Sequence, residues 1–384
     1  METATVTVKP TTEKKLFMDG SKLSYHPDAV RKWRDGDQIY PIHIEISPTA
    51  ACNQRCIHCC VDFLGHKTIP MSGEMMMRLP SEFEECGVKS YLLAGEGEPL
   101  WNKYTVPLVE KMHSRGINGS LTTNGVLFRP AVAERILPAI DWMRFSVQSF
   151  DPANYTILHA VEKGAAHLKV VIKHIKEAVR IKREQGLKTT LGVQQILLNE
   201  NSGDDIVNSA RMSKELGVDY FTIKRFSQHP DNSYHVPEDL PNQCMDQFDE
   251  ADALTDDNFK VYIRRNQFFD QNRGYDRCSG GLAFIAQLLA KGDIWPRIQF
   301  YGKEGKQYGN LENATLKEIF DSDHAKELRE DIEKNYEVNG GKNNPPCMSY
   351  CRHHSTNLHL EGVRDGTIPV TDDFGLPPKH VNFI

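Results

Sequence analysis

The chain has 384 residues, 39% apolar and 26% charged, a composition ordinary for a soluble globular protein of one large or two smaller domains with a real core. Its 46 basic and 52 acidic residues leave a net charge of −6, and stretches such as 177-EAVRIKREQGLK-188 interleave the signs as a solvated helix face does, so no nucleic-acid partner is expected. No run approaches the roughly eighteen apolar residues of a membrane span, and METATVTVKPTTEKK lacks the apolar stretch of a secretory signal, so the expectation is a cytoplasmic protein with no membrane association. Reducing conditions there make nine cysteines read as metal-binding or catalytic rather than as disulfides.

In chain order, residues 1–40 form an N-terminal extension, and from about residue 41 short β-like runs alternate with amphipathic stretches. The strands are expected at 42-IHIEI-46, 90-SYLLA-94, 118-NGSLT-122, 143-MRFSV-147, 190-TLGVQQI-196 and 220-YFTIK-224, with helices at 103–116 and 165–186 among those between them. Parallel strands need crossover helices, so this alternation over 41–250 predicts a parallel α/β sheet or partial barrel with its chemistry at the C-terminal strand ends. Over 251–384 the rhythm is lost to glycine, proline and polar turns, apart from one helix around 315–334. Such a region has a thin core, and a metal site would supply stability that packing cannot.

Four cysteines crowd 51-ACNQRCIHCC-60, directly after the first strand. Cys52, Cys56 and Cys59 form C-x3-C-x2-C; three thiolates are an odd complement for structural zinc, which closes four ligands, whereas short-spaced thiolates suit iron–sulfur clusters. Three ligands on a cubane leave one iron open to a substrate or cofactor. A zinc knuckle or incidental core cysteines is the alternative the residues leave open, and Cys60, outside the pattern, reads as a buried free thiol.

In 49-TAACNQRCIHCC-60 the pattern resembles the signature of the radical S-adenosylmethionine (SAM) superfamily. The resemblance implies a partial (β/α)6 barrel, a [4Fe–4S] cluster on Cys52, Cys56 and Cys59 that binds SAM, and an electron donor such as flavodoxin or ferredoxin. It implies reductive cleavage of SAM to methionine and a 5′-deoxyadenosyl radical that abstracts hydrogen from the substrate. The turn 95-GEGEPL-100 is similar to the family's Gly-Gly-Glu motif, with Gly95 and Gly97 permitting close approach to the SAM methionine group and Glu98 near that contact; alone it would read as a tight turn. By the same resemblance Ser146 and Gln148, in 145-FSVQSF-150, face the SAM ribose, Gln195 and Asn199 follow on the fifth strand, and Lys224 and Arg225 meet a SAM carboxylate or an anionic substrate. The plain alternatives are cross-strand hydrogen bonds for the amides and outward snorkelling for the two cations.

Beyond the barrel, Cys278 opens a C-x13-G-x4 frame that ends on Arg297. The frame resembles the SPASM and twitch auxiliary-cluster domains, but Arg297 stands where they carry a cysteine, and Cys347 and Cys351 are spaced C-x3-C where twitch usually has C-x2-C. The resemblance implies at most one auxiliary [4Fe–4S] cluster, on Cys278, Cys347 and Cys351, with an open iron or a fourth ligand from Arg297, Cys244, His353, His354 or the substrate. A degenerate domain without a cluster and a zinc site using 353-HH-354 remain open.

The expected substrate is a small hydroxylated molecule of sugar, aminocyclitol or nucleoside type, undergoing oxidation (dehydrogenation) or epimerisation in a biosynthetic pathway. Cys244 is the candidate hydrogen donor for an epimerisation, against the plainer reading of a buried thiol. The alternatives are a maturase that crosslinks or epimerises a ribosomal peptide, which in this superfamily often carries a recognition domain before the barrel where about forty residues stand here, and a non-catalytic iron–sulfur or zinc module.

Overall fold

The structure, a computed structural model, describes residues 20–384 other than 66, 202–203, 270–272, 341–346, 348–350 and 352; the first nineteen residues of the N-terminal extension lie outside them. The six expected runs all form strands: β1 (His43–Ile46), β2 (Ser90–Leu93), β3 (Asn118–Thr123), β4 (Trp142–Ser146), β5 (Thr190–Leu197) and β6 (Tyr220–Arg225). They lie side by side in chain order, every neighbouring pair parallel, as crossover helices require. This is a mixed α/β fold built on a parallel, partial-barrel sheet.

Strand alternation divides the two faces. Ile44, Ile46, Tyr91, Leu93, Leu121, Met143, Phe145, Val193, Phe221 and Ile223 join one core with Leu108, Val109 and Met112 of the helix Thr105–Ser114 and Val171, Ile175 and Ala178 of the helix Gly164–Glu184. The alternate residues, including Glu45, Arg144, Ser146 and Lys224, face the concave side, and these four keep partial exposure. At the lower end the concave side is closed by Phe383, which packs with Leu92 and Trp142 and meets His43 edge-on. Lys22 Nζ donates to the Phe383 carbonyl at 3.2 Å, tying the N-terminal extension to this plug.

The strand rhythm continues past residue 250. The short β-branched and aromatic run Lys260–Ile263 is β7, parallel to β6, and β8 (Ile285–Leu288) pairs parallel with β1 on the other edge. β9 (Asp293–Trp295) and β10 (Gly309–Asn310) follow antiparallel, giving one ten-stranded sheet in the order β10-β9-β8-β1-β2-β3-β4-β5-β6-β7. The helix expected over 315–334 is two helices, Leu316–Asp321 and Asp323–Asn335. Ser322 between them is extended (φ −67°, ψ 146°) and caps the second by accepting from the Ala325 N–H, the role serine prefers to a helix interior.

Candidate radical SAM site

The loop after β1 carries Cys52, Cys56 and Cys59 and is fastened on three sides. Ala50 N–H donates to Ile69 O and Met71 N–H to Pro48 O, closing the loop on itself, while Asn102 Nδ2 donates to both Pro48 O and Met71 O. Arg55 and Ile57 N–H donate to His159 O and Leu158 O, at the end of the helix Pro152–His159. Burial pushes the Cys56 thiol well above its ordinary value, and the charges of Cys52 and Cys59 push the same way; burial and Cys60 raise Cys59 to about 12. Thiols that raise one another share one small volume, and a bound metal centre relieves that repulsion by holding them deprotonated. Among the described residues no three His, Cys, Asp or Glu side chains converge as ligands of a single ion do. This donor set fits an iron–sulfur cluster.

The turn after β2 locks onto this loop through backbone. Glu98 N–H donates to Ala51 O at 2.9 Å, and a Cβ on Gly97 would lie 2.2 Å from that same oxygen and 2.6 Å from Thr49 O, so only glycine allows the approach. Gly95 has φ +109° and sits against Ser47, whose Oγ accepts from the Glu96 N–H at 2.6 Å. Glu98 is 2% exposed, and its carboxylate accepts from Thr123 Oγ1 (2.6 Å), Asn124 N–H (2.8 Å) and Leu100 N–H (3.3 Å). It is a buried strut between the ends of β2 and β3. Asn124, unassigned in the sequence reading, reaches the cysteine loop: Nδ2 donates to Asn53 Oδ1 at 2.7 Å and lies 3.9 Å from Cys52 Sγ.

A second residue that sequence reading missed is His159. It is 1% exposed; its Nε2 takes the Gln148 N–H (3.3 Å), which leaves Nδ1 as the protonated nitrogen facing Gln54 Oε1 (2.9 Å) and Cys56 Sγ (3.5 Å). Nothing local in 152-PANYTILHA-160 signals this, because Gln54 and Cys56 lie over a hundred residues away. Ala160, in left-handed conformation (φ 46°), ends that helix.

The remaining expected residues separate into two groups. Ser146 and Gln148 share a hydrogen bond (2.9 Å), and Gln148 Oε1 accepts from Ile196 N–H, so this pair joins β4 to β5 beside the cysteine loop. Lys224 lies on the concave face, where burial and the cations Arg264 and Arg144 lower its pKa to about 8 against the opposing pull of Cys60 and Glu45. Gln195 lies apart, fully buried on the helix side and donating to Gln148 O (2.8 Å) and Asp205 Oδ2 (3.0 Å). Asn199 is exposed and holds the His235 carbonyl at 2.9 Å. Arg225 alternates with Lys224 and so points to the opposite side of β6. Cys244 is packed in the hydrophobic core at the start of the helix Met245–Asp252, its thiol pushed up by burial.

The C-terminal cysteines form a separate buried cluster. Cys278 and Cys347 are fully enclosed, and Cys351 lies close enough to hydrogen-bond with Cys347. Arg297 lies among them, with Nη1 3.9 Å from Cys347 Sγ; Gln299 Nε2 is 3.4 Å from the same sulfur and Asn357 Nδ2 is 3.3 Å from Cys278 Sγ. His353 is buried under Gly281, and His354 Nδ1 lies 3.2 Å from the Tyr275 hydroxyl.

Comparison with known proteins agrees with this geometry. Residues 46–222 match the profile of the Radical SAM superfamily. The GTP 3′,8-cyclase of Desulforamulus reducens is 26% identical over 182 residues, 46% of this chain and 53% of that protein. A probable GTP 3′,8-cyclase of Methanothermobacter marburgensis is 31% identical over 118 residues, 30% of this chain and 38% of that protein. This chain thus spans about half or less of the length of these relatives. Streptococcus suis SuiB bound to S-adenosylmethionine superposes with a TM-score of 0.61 at 17% identity, over 78% of this chain and 70% of that one. The anSMEcpe structure with bound AdoMet superposes with a TM-score of 0.54 at 15% identity, over 85% and 100%. The cysteine loop at the C-terminal end of β1 lies inside residues 46–222, the part of the chain that matches the Radical SAM superfamily, whose cofactors are a [4Fe–4S] cluster and S-adenosylmethionine.

Proposed function

We propose that this protein is a radical SAM enzyme acting on a small hydroxylated substrate that carries an anionic group, of sugar-phosphate or nucleotide type, with oxidation or epimerisation as the outcome. One observation carries the substrate class: Lys224, on the concave face of β6, lies near enough to Arg144, Arg264, Cys60 and Glu45 to feel the charge of each, and Glu45 also accepts from Gln287 (2.7 Å). Burial lowers the pKa of Lys224 most, with Arg264 and Arg144 adding to it, and a bound anion would favour the charged lysine against both. The printed names of the relatives, GTP cyclases, support a phosphate-bearing substrate of this kind.

The bound cluster and SAM supply the radical that abstracts hydrogen. The chain's own residues do the rest. Cys52, Cys56 and Cys59 hold the metal centre, His159 Nδ1–H and Gln54 orient Cys56, and Glu98 with Thr123 and Asn124 keeps the Gly95–Gly97 turn pressed against the loop. Ser146 and Gln148 present polar atoms at the ends of β4 and β5, and Lys224, Arg144 and Arg264 anchor the substrate anion. Cys278, Cys347 and Cys351 would hold a second cluster, a donor set whose fit is marked by the buried Arg297 guanidinium with two N–H groups turned to no protein acceptor among the described residues.

The test is anaerobic reconstitution followed by iron and sulfide counting in the unsubstituted chain and in a Cys52/Cys56/Cys59→Ala variant. About eight irons falling to about four is the expected result. Incubation with SAM and a strong reductant should then release 5′-deoxyadenosine from the unsubstituted chain and none from the variant. A substrate deuterated at the reacting carbon should pass its label into 5′-deoxyadenosine. Equal turnover of phosphate-bearing and neutral analogues would refute the anionic assignment.

A further inference from the structure

The cysteines of the C-terminal site do not explain Arg297. It follows β9 and is 1% exposed, and its guanidinium lies between the rings of Phe300 (4.6 Å) and Tyr336 (4.2 Å). This clamp turns the guanidinium edge toward Cys347, 3.9 Å away, while Nε and Nη2 find no hydrogen-bond partner among the described residues. The amide neighbours of the site act in the same sense, since Gln299 Nε2 faces Cys347 Sγ at 3.4 Å and Asn357 Nδ2 faces Cys278 Sγ at 3.3 Å. Three donors, one of them a cation, thus converge on sulfur.

A buried cation with idle N–H groups is costly unless an anionic group meets it. A guanidinium keeps its charge and has no free acceptor, so Arg297 is unsuited to ligate iron directly. We infer that Arg297 is the electrostatic and hydrogen-bonding partner of an iron–sulfur cluster held by Cys278, Cys347 and Cys351, standing in place of a fourth thiolate and raising that cluster's reduction potential. The inference rests on the reading that these three cysteines hold a cluster. Relative to a fourth thiolate, the arginine removes one negative charge and adds one positive charge beside the site, so an electron added on reduction is repelled less. Donors aimed at the ligand sulfurs and exclusion of water shift the potential by the same physics.

The experiment uses the full-length chain carrying Cys52→Ala, Cys56→Ala and Cys59→Ala, reconstituted anaerobically with iron and sulfide, so that only the C-terminal site contributes. Iron per chain is counted, and the midpoint potential is read by redox titration followed by electron paramagnetic resonance. In this background Arg297→Gln should keep about four irons and shift the midpoint to a more negative value, while Arg297→Lys should stay nearer the unsubstituted protein. Loss of iron from Arg297→Gln alone, with retention in Arg297→Lys, would equally support the role of the charge. An unchanged midpoint in Arg297→Gln, or loss of iron from both variants, would overturn the inference in favour of plain packing. A background protein that binds no iron, or binds zinc instead, would overturn the cluster reading itself and the inference with it. Repeating the titration in the chain with all nine cysteines, where only one of two signals should move, guards against misfolding of the alanine background.

Discussion

Glu98→Ala is the most searching test of how the first site is assembled. The buried carboxylate takes two tight hydrogen bonds, from Thr123 Oγ1 at 2.6 Å and Asn124 N–H at 2.8 Å, and a longer one from Leu100 N–H at 3.3 Å. Removing the acceptor strands two buried donors at about 1–3 kcal/mol each, so the expected loss is about 2–6 kcal/mol, a large fraction of an ordinary domain's stability. Glu98→Gln behaves differently. Its amide must direct an NH2 group at either Asn124 N–H or Thr123, so one donor stays unpaired and the loss is about 1–3 kcal/mol. Burial nevertheless pushes the Glu98 carboxyl upward overall, its three donors pulling the other way. A raised carboxyl binds its proton more tightly folded than unfolded, so its contribution falls as pH climbs from the ordinary value through the folded one, and the glutamine variant should lack that fall. Urea unfolding followed by circular dichroism measures both variants, and iron content after reconstitution reports the loop. Stability of the alanine variant within about 0.5 kcal/mol of the parent, with full iron, would refute the strut.

Two further perturbations follow from the same geometry. Gly97→Ala drives a Cβ to 2.2 Å from Ala51 O, a backbone atom that cannot step aside, so it should cost about 1–3 kcal/mol and lower the iron held by Cys52, Cys56 and Cys59 while sparing the C-terminal site; iron counts in the two backgrounds check this. Lys224, with a pKa lowered to about 8 by burial and by Arg264 and Arg144, should lose its charge as pH rises through that value. Binding of inorganic pyrophosphate, followed by calorimetry, should therefore weaken above about pH 8, and Lys224→Met should weaken it at pH 7 and remove that step. Because the folded lysine binds its proton less tightly than the unfolded one, stability should rise with pH between about 8 and 10.5, which separates the two effects. Unchanged pyrophosphate affinity in Lys224→Met would remove Lys224 from the anion site.

The first six strands were legible because each is a short apolar or β-branched run bounded by turn residues, and parallel order follows once helices separate them. β7 and β8 were not, because four-residue runs among glycine and polar turns carry too little periodicity to stand out. The split of the helix at Ser322 turned on a cap that pattern alone does not rank against continuity. Of the candidate site, the cysteine triplet and the Gly95–Gly97 turn are local patterns that spacing can single out, whereas the strut made by Glu98 with Thr123 and Asn124 joins two strand ends and could not be read from them. Gln195 and Asn199 were placed by strand position, yet alternation sends Gln195 to the helix side and a loop contact draws Asn199 to His235.

By itself, then, the sequence determined what is local: the strand and helix runs, the thiolate triplet after the first strand, and the glycine turn after the second. The tertiary structure alone decided what lies between distant segments: His159 against Cys56, Asn124 against Asn53, Phe383 closing the lower end, and β8 carrying the C-terminal cysteine region onto the edge of β1. It also turned Arg297 from a missing cysteine into a buried cation facing sulfur. The physical reason is that spacing specifies backbone periodicity and ligand loops, whereas which charges meet in a buried volume depends on packing between residues tens to hundreds of positions apart.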